Sequence, residues 1–434
     1  MLATAGSIVV LSLGTLAVNN HALAFVPFLR RYVPAFPFPV CLGFFLLVWK
    51  SVTEKATYTV IGAALSFVVL VYSYFFLWTT AAAWLTLLLV LWLIARPAER
   101  LQTLRLVGVA VVTGLFALLP YFWLISHRAS TMDEAQVLER THAPDLLRTP
   151  ELVGLAILIL VTWLAATRRI DWRAPAALFV ISLASAPIVI LNHQIVTGRS
   201  LQPFHYTQFI TNYMVTIAAV ILLGIAWKRM PRLVPVTLGL GSFVLTTILA
   251  GNVARSTLAA NIELDQKRAV AISIKHDNND RVVFASDALM TMLIPTEARN
   301  SMVWSRYSYI FGDITPAERK QNYFKYLYYS GFDEEKFFHA MKYDFTSRVE
   351  VFGAERTNPS LTVNHQEITS AELQLAYEDY VDYCSRFSKS DALTPTLGYA
   401  IVLTNVDLKN LDRWYSRDNG RRIGAFIIYT VNPR

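Results

Sequence analysis

The first half of the chain is organised in apolar blocks. Long apolar stretches lie at about 5–27, 34–50, 56–75, 77–95, 104–126, 151–167, 174–192, 207–227 and 233–254, separated by short polar or basic patches. A helix needs roughly 20 mainly apolar residues to cross a bilayer, so the pattern predicts about nine spans. The run from Ala56 to Ala95 is too long for one span. It is expected to fold back at Tyr72-Ser73-Tyr74-Phe75-Phe76-Leu77-Trp78, because aromatic residues collect where a chain meets lipid headgroups. The weakest spans are the first, interrupted by Asn19-Asn20-His21, and the second, short and carrying Pro34, Pro37 and Pro39.

From Glu263 the pattern changes to that of a water-soluble domain. Val282-Val283-Phe284-Ala285, then Ser286-Asp287 and a stretch ending at Ile294-Pro295, read as strand, cap and helix. Thr315-Pro316-Ala317-Glu318 opens a helix rich in Tyr323, Phe324, Tyr326, Tyr328 and Tyr329, whose rings are expected in a core rather than on a carbohydrate platform. Asp333-Glu334-Glu335 and Glu367 introduce two more helices. The end reads as a strand from Tyr399 to Thr404, a helix from Asp407 to Tyr415, a turn at Asp418-Asn419-Gly420 and a strand from Ile423 to Val431, a crossover expected to leave the two strands parallel. The predicted fold is therefore an α-helical polytopic membrane domain (1–258) followed by a small α/β soluble domain (263–434).

Charge sharpens this division. Of the 31 Asp and Glu residues, 23 lie from Glu263 onward, whereas Lys and Arg divide 18 before and 21 after. The net +8 of the chain thus resides in the apolar half, where basic loops set orientation in a bilayer rather than bind nucleic acid. A mean hydropathy of +0.40 excludes an ordinary soluble protein of this length. Lys50/Lys55, Arg96/Arg100/Arg105, Arg168/Arg169/Arg173 and Lys228/Arg229/Arg232 fall in one set of short loops; the alternate set holds Arg30/Arg31, Arg128/Arg140/Arg148 and Arg199. By the positive-inside rule the first set is cytoplasmic, which puts an odd-spanned chain's soluble domain outside. Two cysteines, Cys41 and Cys384, offer neither a disulfide framework nor a zinc motif. The one N-x-S/T pattern, Asn358-Pro359-Ser360, is blocked by proline, consistent with a bacterial inner membrane protein.

Candidate chemistry concentrates in the outward connections. Residues His127 to Pro150 hold Asp133, Glu134, Glu139 and Asp145 among Arg128, Arg140 and Arg148; carboxylates there could act as a base or take a divalent cation, although a solvated amphipathic helix whose charges face water is the simpler reading. Residues 192–206 are sharper. Asn192, His193, Arg199, Gln202, His205 and Tyr206 lie between two apolar spans, where polar groups need a partner or a cavity, and Gly198 and Pro203 interrupt helical backbone. Arg199 would fork onto a phosphate or carboxylate and the histidines would hydrogen-bond a sugar or move a proton; an interfacial loop anchored by Phe204 and Tyr206 is the alternative.

Arg31-Tyr32-Val33-Pro34, Tyr72 to Trp78, Asn192 to His205, Asp287 to Pro295 and the closing run Ile423 to Val431 together resemble bacterial multispanning proteins of the glycosyltransferase-C type. That resemblance implies hexosyl or pentosyl transfer from a polyprenyl-phosphate-linked sugar at the outer membrane face, with an acidic residue of the first external loop at work. Here Arg30-Arg31 stands where that acid is expected. The resemblance therefore carries over no catalytic residue, and implies either an N-terminal catalytic portion outside this sequence or a non-catalytic relative. A lipid-linked substrate transporter or flippase and a non-enzymatic membrane subunit remain the alternatives.

Overall fold

The computed structural model describes residues 35–127, 138–226, 258–275, 281–306, 308–310, 314–358, 366–418 and 420–434, with the single positions 240, 244 and 255. The chain divides into two compact units, Met1–Arg128 with Thr141–Ala254, and Ala129–Arg140 with Arg255–Arg434. The predicted spans at 5–27 and, but for two positions, 233–254 lie outside the described residues, as do Asn19, Asn20 and His21.

The other seven apolar stretches are helices: α1 (Pro37–Thr53), α2 (Thr57–Val71), α3 (Phe75–Ala95), α4 (Arg100–Ser126), α5 (Thr149–Ala166), α6 (Pro175–Leu191) and α7 (Asn212–Ala226). Among the described residues, four helices are long and apolar enough to cross a membrane: Phe75–Ala95, Thr149–Ala166, Pro175–Thr197 and Pro203–Ile225; Pro37–Thr53, Thr57–Val71 and Val111–Ser126 are shorter apolar helices. The helices suit a lipid bilayer as surroundings. The fold-back sits at Tyr72–Tyr74, between the end of α2 and the start of α3.

Several polar groups inside this unit find partners across helices, where water cannot satisfy them. The buried Trp84 indole on α3 donates to Ser182 Oγ on α6 (3.0 Å), and that hydroxyl donates on to Phe179 O. Ser51 Oγ donates to Thr59 Oγ1 (3.1 Å), tying α1 to α2. α5 and α6 pack backbone to backbone: a Cβ built on Gly154 would lie 2.3 Å from Ala184 O.

The C-terminal unit carries five strands, β1 (Val282–Ala285), β2 (Leu397–Leu403), β3 (Tyr415–Arg417), β4 (Arg421–Ile423) and β5 (Phe426–Pro433). β1 pairs parallel with β2, β2 pairs antiparallel with β5, and the far edge of β5 is shared by β3 and β4. The expected parallel crossover into the last strand is therefore replaced by an antiparallel pair. The connection is long enough for a crossover, but it holds only a single helical turn, Lys409–Asp412, followed by the two short strands β3 and β4, which themselves pair antiparallel with β5 and keep the chain within the sheet. The chain instead reverses at Gly424-Ala425, with Gly424 at φ +58°, the left-handed geometry that a two-residue hairpin demands.

The helix starts follow their caps. Thr315 and Glu318 form a reciprocal capping box at α9 (Pro316–Tyr329), after α8 (Met290–Glu297), and Asp333 caps α10 (Glu334–Tyr343). The helix expected from Glu367 begins slightly later, as α12 (Ser370–Arg386), where Thr369 and Glu372 provide the box; α11 (Phe345–Phe352) precedes it. Tyr323, Phe324, Tyr326, Tyr328 and Tyr329 are all buried and form the core of this unit.

One buried acid gives the domain a pH response. Glu350 on α11 is buried, and burial raises its carboxyl to about 7 although Ser308 Oγ donates to it at 2.7 Å and Arg319 lies nearby. A carboxyl raised in the folded state binds its proton there more tightly than in the unfolded chain, so its contribution favours folding at low pH and is lost as pH rises from the ordinary range near 4.5 to about 7. Thermal melts should show that loss, up to about 3 kcal/mol, and Glu350→Gln should flatten it.

Candidate functional site

The carboxyl end of α6 and the segment before α5 meet at one end of the helical unit. Asn192, at the end of α6, is buried and binds four groups at once: its Nδ2 donates to Glu151 Oε1 (2.5 Å), Ile188 O (2.9 Å) and Asp145 O (3.3 Å), while its Oδ1 accepts from Asp145 N (2.7 Å). Glu151, in the first turn of α5 and itself buried, accepts from Arg148 N through Oε2 (3.1 Å). Arg148 pairs with Asp145, whose side chain keeps about a third of its surface exposed. Asp145 is thus the carboxylate of this knot that water reaches, and Glu151 is its structural anchor.

After Asn192 the backbone leaves and re-enters helix. His193 Nδ1 bonds Ile190 O (2.6 Å), leaving the other ring nitrogen for a further partner. The buried Gln194 donates to Ala143 O (3.2 Å), while its Oε1 has no hydrogen-bond partner among the described residues. Gly198 adopts φ +67° and lies against the His142 ring, where a Cβ would stand 2.8 Å from Nε2. His142 Nδ1 bonds Ile195 O (3.1 Å). Arg199 is exposed, and among the described residues no carboxylate pairs with its guanidinium. Gln202 takes a left-handed conformation, φ +39°, that a non-glycine residue adopts at a cost of about 1 kcal/mol or more.

Gln202 leads into a helical stretch containing a five-residue π-helix, Thr207–Thr211, before α7. This stretch receives the fold-back aromatics. His205 stacks among Phe204 (4.0 Å), Phe76 (4.7 Å) and Phe209 (5.4 Å), and the Tyr206 hydroxyl lies 3.0 Å from Thr79 Oγ1. His193 and Tyr206 rings lie 6.2 Å apart, which joins the two halves of the segment. The six residues singled out by sequence thus divide: Asn192 belongs to the carboxylate knot, His205 and Tyr206 to the aromatic corner, His193 lies between them, and Arg199 and Gln202 lie on the loop joining the two. Sequence reasoning missed Glu151, which reads as an ordinary first-turn acid, and His142, which no pattern marks.

The arginines of the 96–105 and 168–173 joints fall at the other end. α5 and α6 pack antiparallel, so the joint through Arg168, Arg169 and Arg173 is opposite the Asn192–Glu151 contact; Thr79 meeting Tyr206 likewise puts Arg96 at that far end, where its guanidinium reaches Arg173 O (3.4 Å). Residues 141–147 are not helical, so the solvated helix considered for the His127–Pro150 loop does not extend through them; Asp133 and Glu134 lie outside the described residues. Among the described residues no group of three or more His, Cys, Asp or Glu is placed to hold a metal ion. No protein-family model matches the chain, and no curated protein is significantly similar to it.

Proposed function

We propose that this chain is a membrane glycosyltransferase-like protein that acts on polyprenyl-phosphate-linked sugar at the outer face of a bacterial inner membrane. The observation that carries the reading is the exposed Arg199, which has no carboxylate partner among the described residues; it lies on the same segment as His193, at the end of the helical unit that holds the partly exposed Asp145, opposite the arginine joint at 168–173. The positive-inside rule makes that end extracytoplasmic. Arg199 binds the donor phosphate in a bidentate fork. His193, Gln202 and His205 contact the sugar or the headgroup, with Asn192 and Tyr206 holding the segment in shape. Asp145 accepts the proton of the acceptor hydroxyl, the role its access to water suits and the burial of Glu151 does not.

A lipid-linked sugar transfer assay on reconstituted protein tests this. Arg199→Ala should lower kcat/KM at least tenfold, mainly through KM, as loss of a charge-assisted contact to phosphate requires. Asp145→Asn should lower kcat with little change in KM. Turnover equal to wild type in both variants removes these residues from the mechanism, and absence of any transfer by the wild type with a panel of donors removes the activity.

A further inference from the structure

We propose that the helix joint at residues 167–174 holds the phosphate headgroup of an acidic phospholipid. A cavity of about 490 Å³ opens here, lined by Ala165, Arg168, Arg169, Asp171, Trp172 and Ile225 among others, within the roughly 300–1,000 Å³ range of small-ligand sites. Its composition is that of a membrane boundary. The apolar wall comes from Ala165, Ala174 and Ile225, at the ends of three helices long enough to span a bilayer, and from Ile170 in the joint. The polar rim comes from the arginines.

Two properties of these arginines favour an anion over a structural role. Among the described residues none of Arg168, Arg169 and Arg173 has a carboxylate partner, whereas Arg96 at the same end is neutralised by Glu99 (2.6 Å). Arg169 and Arg173 lie over the rings of Trp163 (5.0 Å) and Trp172 (5.3 Å), contacts that fix the direction of each guanidinium while leaving its donors open. Arg168 sits at φ +55°, in the left-handed turn closing α5. Asp171 opposes an anion, but its Oδ1 is occupied by the Arg173 N–H (2.9 Å), and the lining remains net positive. Indole rings and arginines at the ends of apolar helices are what a phosphodiester with attached acyl chains requires.

The test is native mass spectrometry of the full chain with added phosphatidylglycerol, phosphatidylcholine or soluble glycerol 1-phosphate, with circular dichroism to verify folding. Phosphatidylglycerol should remain bound in preference to phosphatidylcholine. Arg168→Gln with Arg169→Gln should weaken its retention roughly 30-fold, from the contribution of each cation near a lipid surface. Asp171→Asn should strengthen it about fivefold, and Lys55→Gln, an exposed cation outside the cavity, should leave it unchanged. Equal retention of the two lipids, an equal loss in the Lys55 variant, or displacement by glycerol 1-phosphate at matched concentration each overturns the proposal. If the double variant fails to fold, the Asp171 variant decides alone, and no gain in retention overturns it.

Discussion

Gly154→Val is expected to disrupt the helical unit more than any other single substitution considered. A side chain at Gly154 meets the backbone carbonyl of Ala184 at 2.3 Å, with Val215 Cγ1 at 3.6 Å. A carbonyl on a buried helix cannot rotate away as a flexible side chain would, so α5 and α6 must separate. Close approach of small residues is what holds helices together in lipid, where no hydrophobic force between them is available. Overpacking commonly costs 1–3 kcal/mol, and a backbone obstruction belongs at or above about 3 kcal/mol. Size-exclusion thermal melts of purified protein should show a large fall in midpoint for Gly154→Val. Gly224→Ala, where nothing lies within 4 Å, should not lower the midpoint, since alanine in a helix is favoured over glycine by about 0.5–1 kcal/mol.

Asn192→Leu is expected to be nearly as damaging, for a different reason. Leucine fills the volume but abandons Glu151 Oε1 and the Asp145 N–H and carbonyl. A buried carboxylate oxygen and backbone groups left without their partner cost about 1–3 kcal/mol each, although Glu151 keeps its bond from Arg148 N. Part of the penalty belongs to the Glu151 oxygen left unpaired rather than to lost attraction, so Glu151→Met added to Asn192→Leu should recover part of the stability. A double-mutant cycle on thermal midpoints reads this directly; strict additivity would show that the two side chains do not interact. Because the knot fixes where Asp145 and His193 stand, the proposed transfer activity should fall in Asn192→Leu even in the fraction that remains folded.

The parts of this molecule that were legible in the sequence are those set by local chemistry. Seven described helices coincide with apolar stretches because length and apolarity alone decide whether a segment suits a bilayer. The break at Tyr72–Tyr74 was visible in its aromatics, and the Thr315 and Asp333 caps in the acids that follow them. What could not be read were pairings between distant positions. Nothing about Glu151 distinguishes it from a routine N-terminal helix acid until Asn192, 41 residues away, donates to it. Nor does Thr79 announce Tyr206 across 127 residues. The β2–β5 error has the same origin: the sequence between them contains both a helical turn and hairpin glycines, and only the antiparallel pairing of β3 and β4 with β5 decides between a crossover and a hairpin.

The proposed chemistry depends on one arrangement in the membrane, with the loop at Arg199 on the extracytoplasmic side and the arginine joint at 168–173 on the cytoplasmic side. The most direct measurement is cysteine labelling in intact cells with a membrane-impermeant maleimide, in a Cys384→Ser background because Cys41 is buried and Cys384 only partly so. Arg199→Cys should label from outside without permeabilisation, and Arg168→Cys only after it. Labelling of position 168 from outside, with position 199 protected until the membrane is opened, would contradict the account.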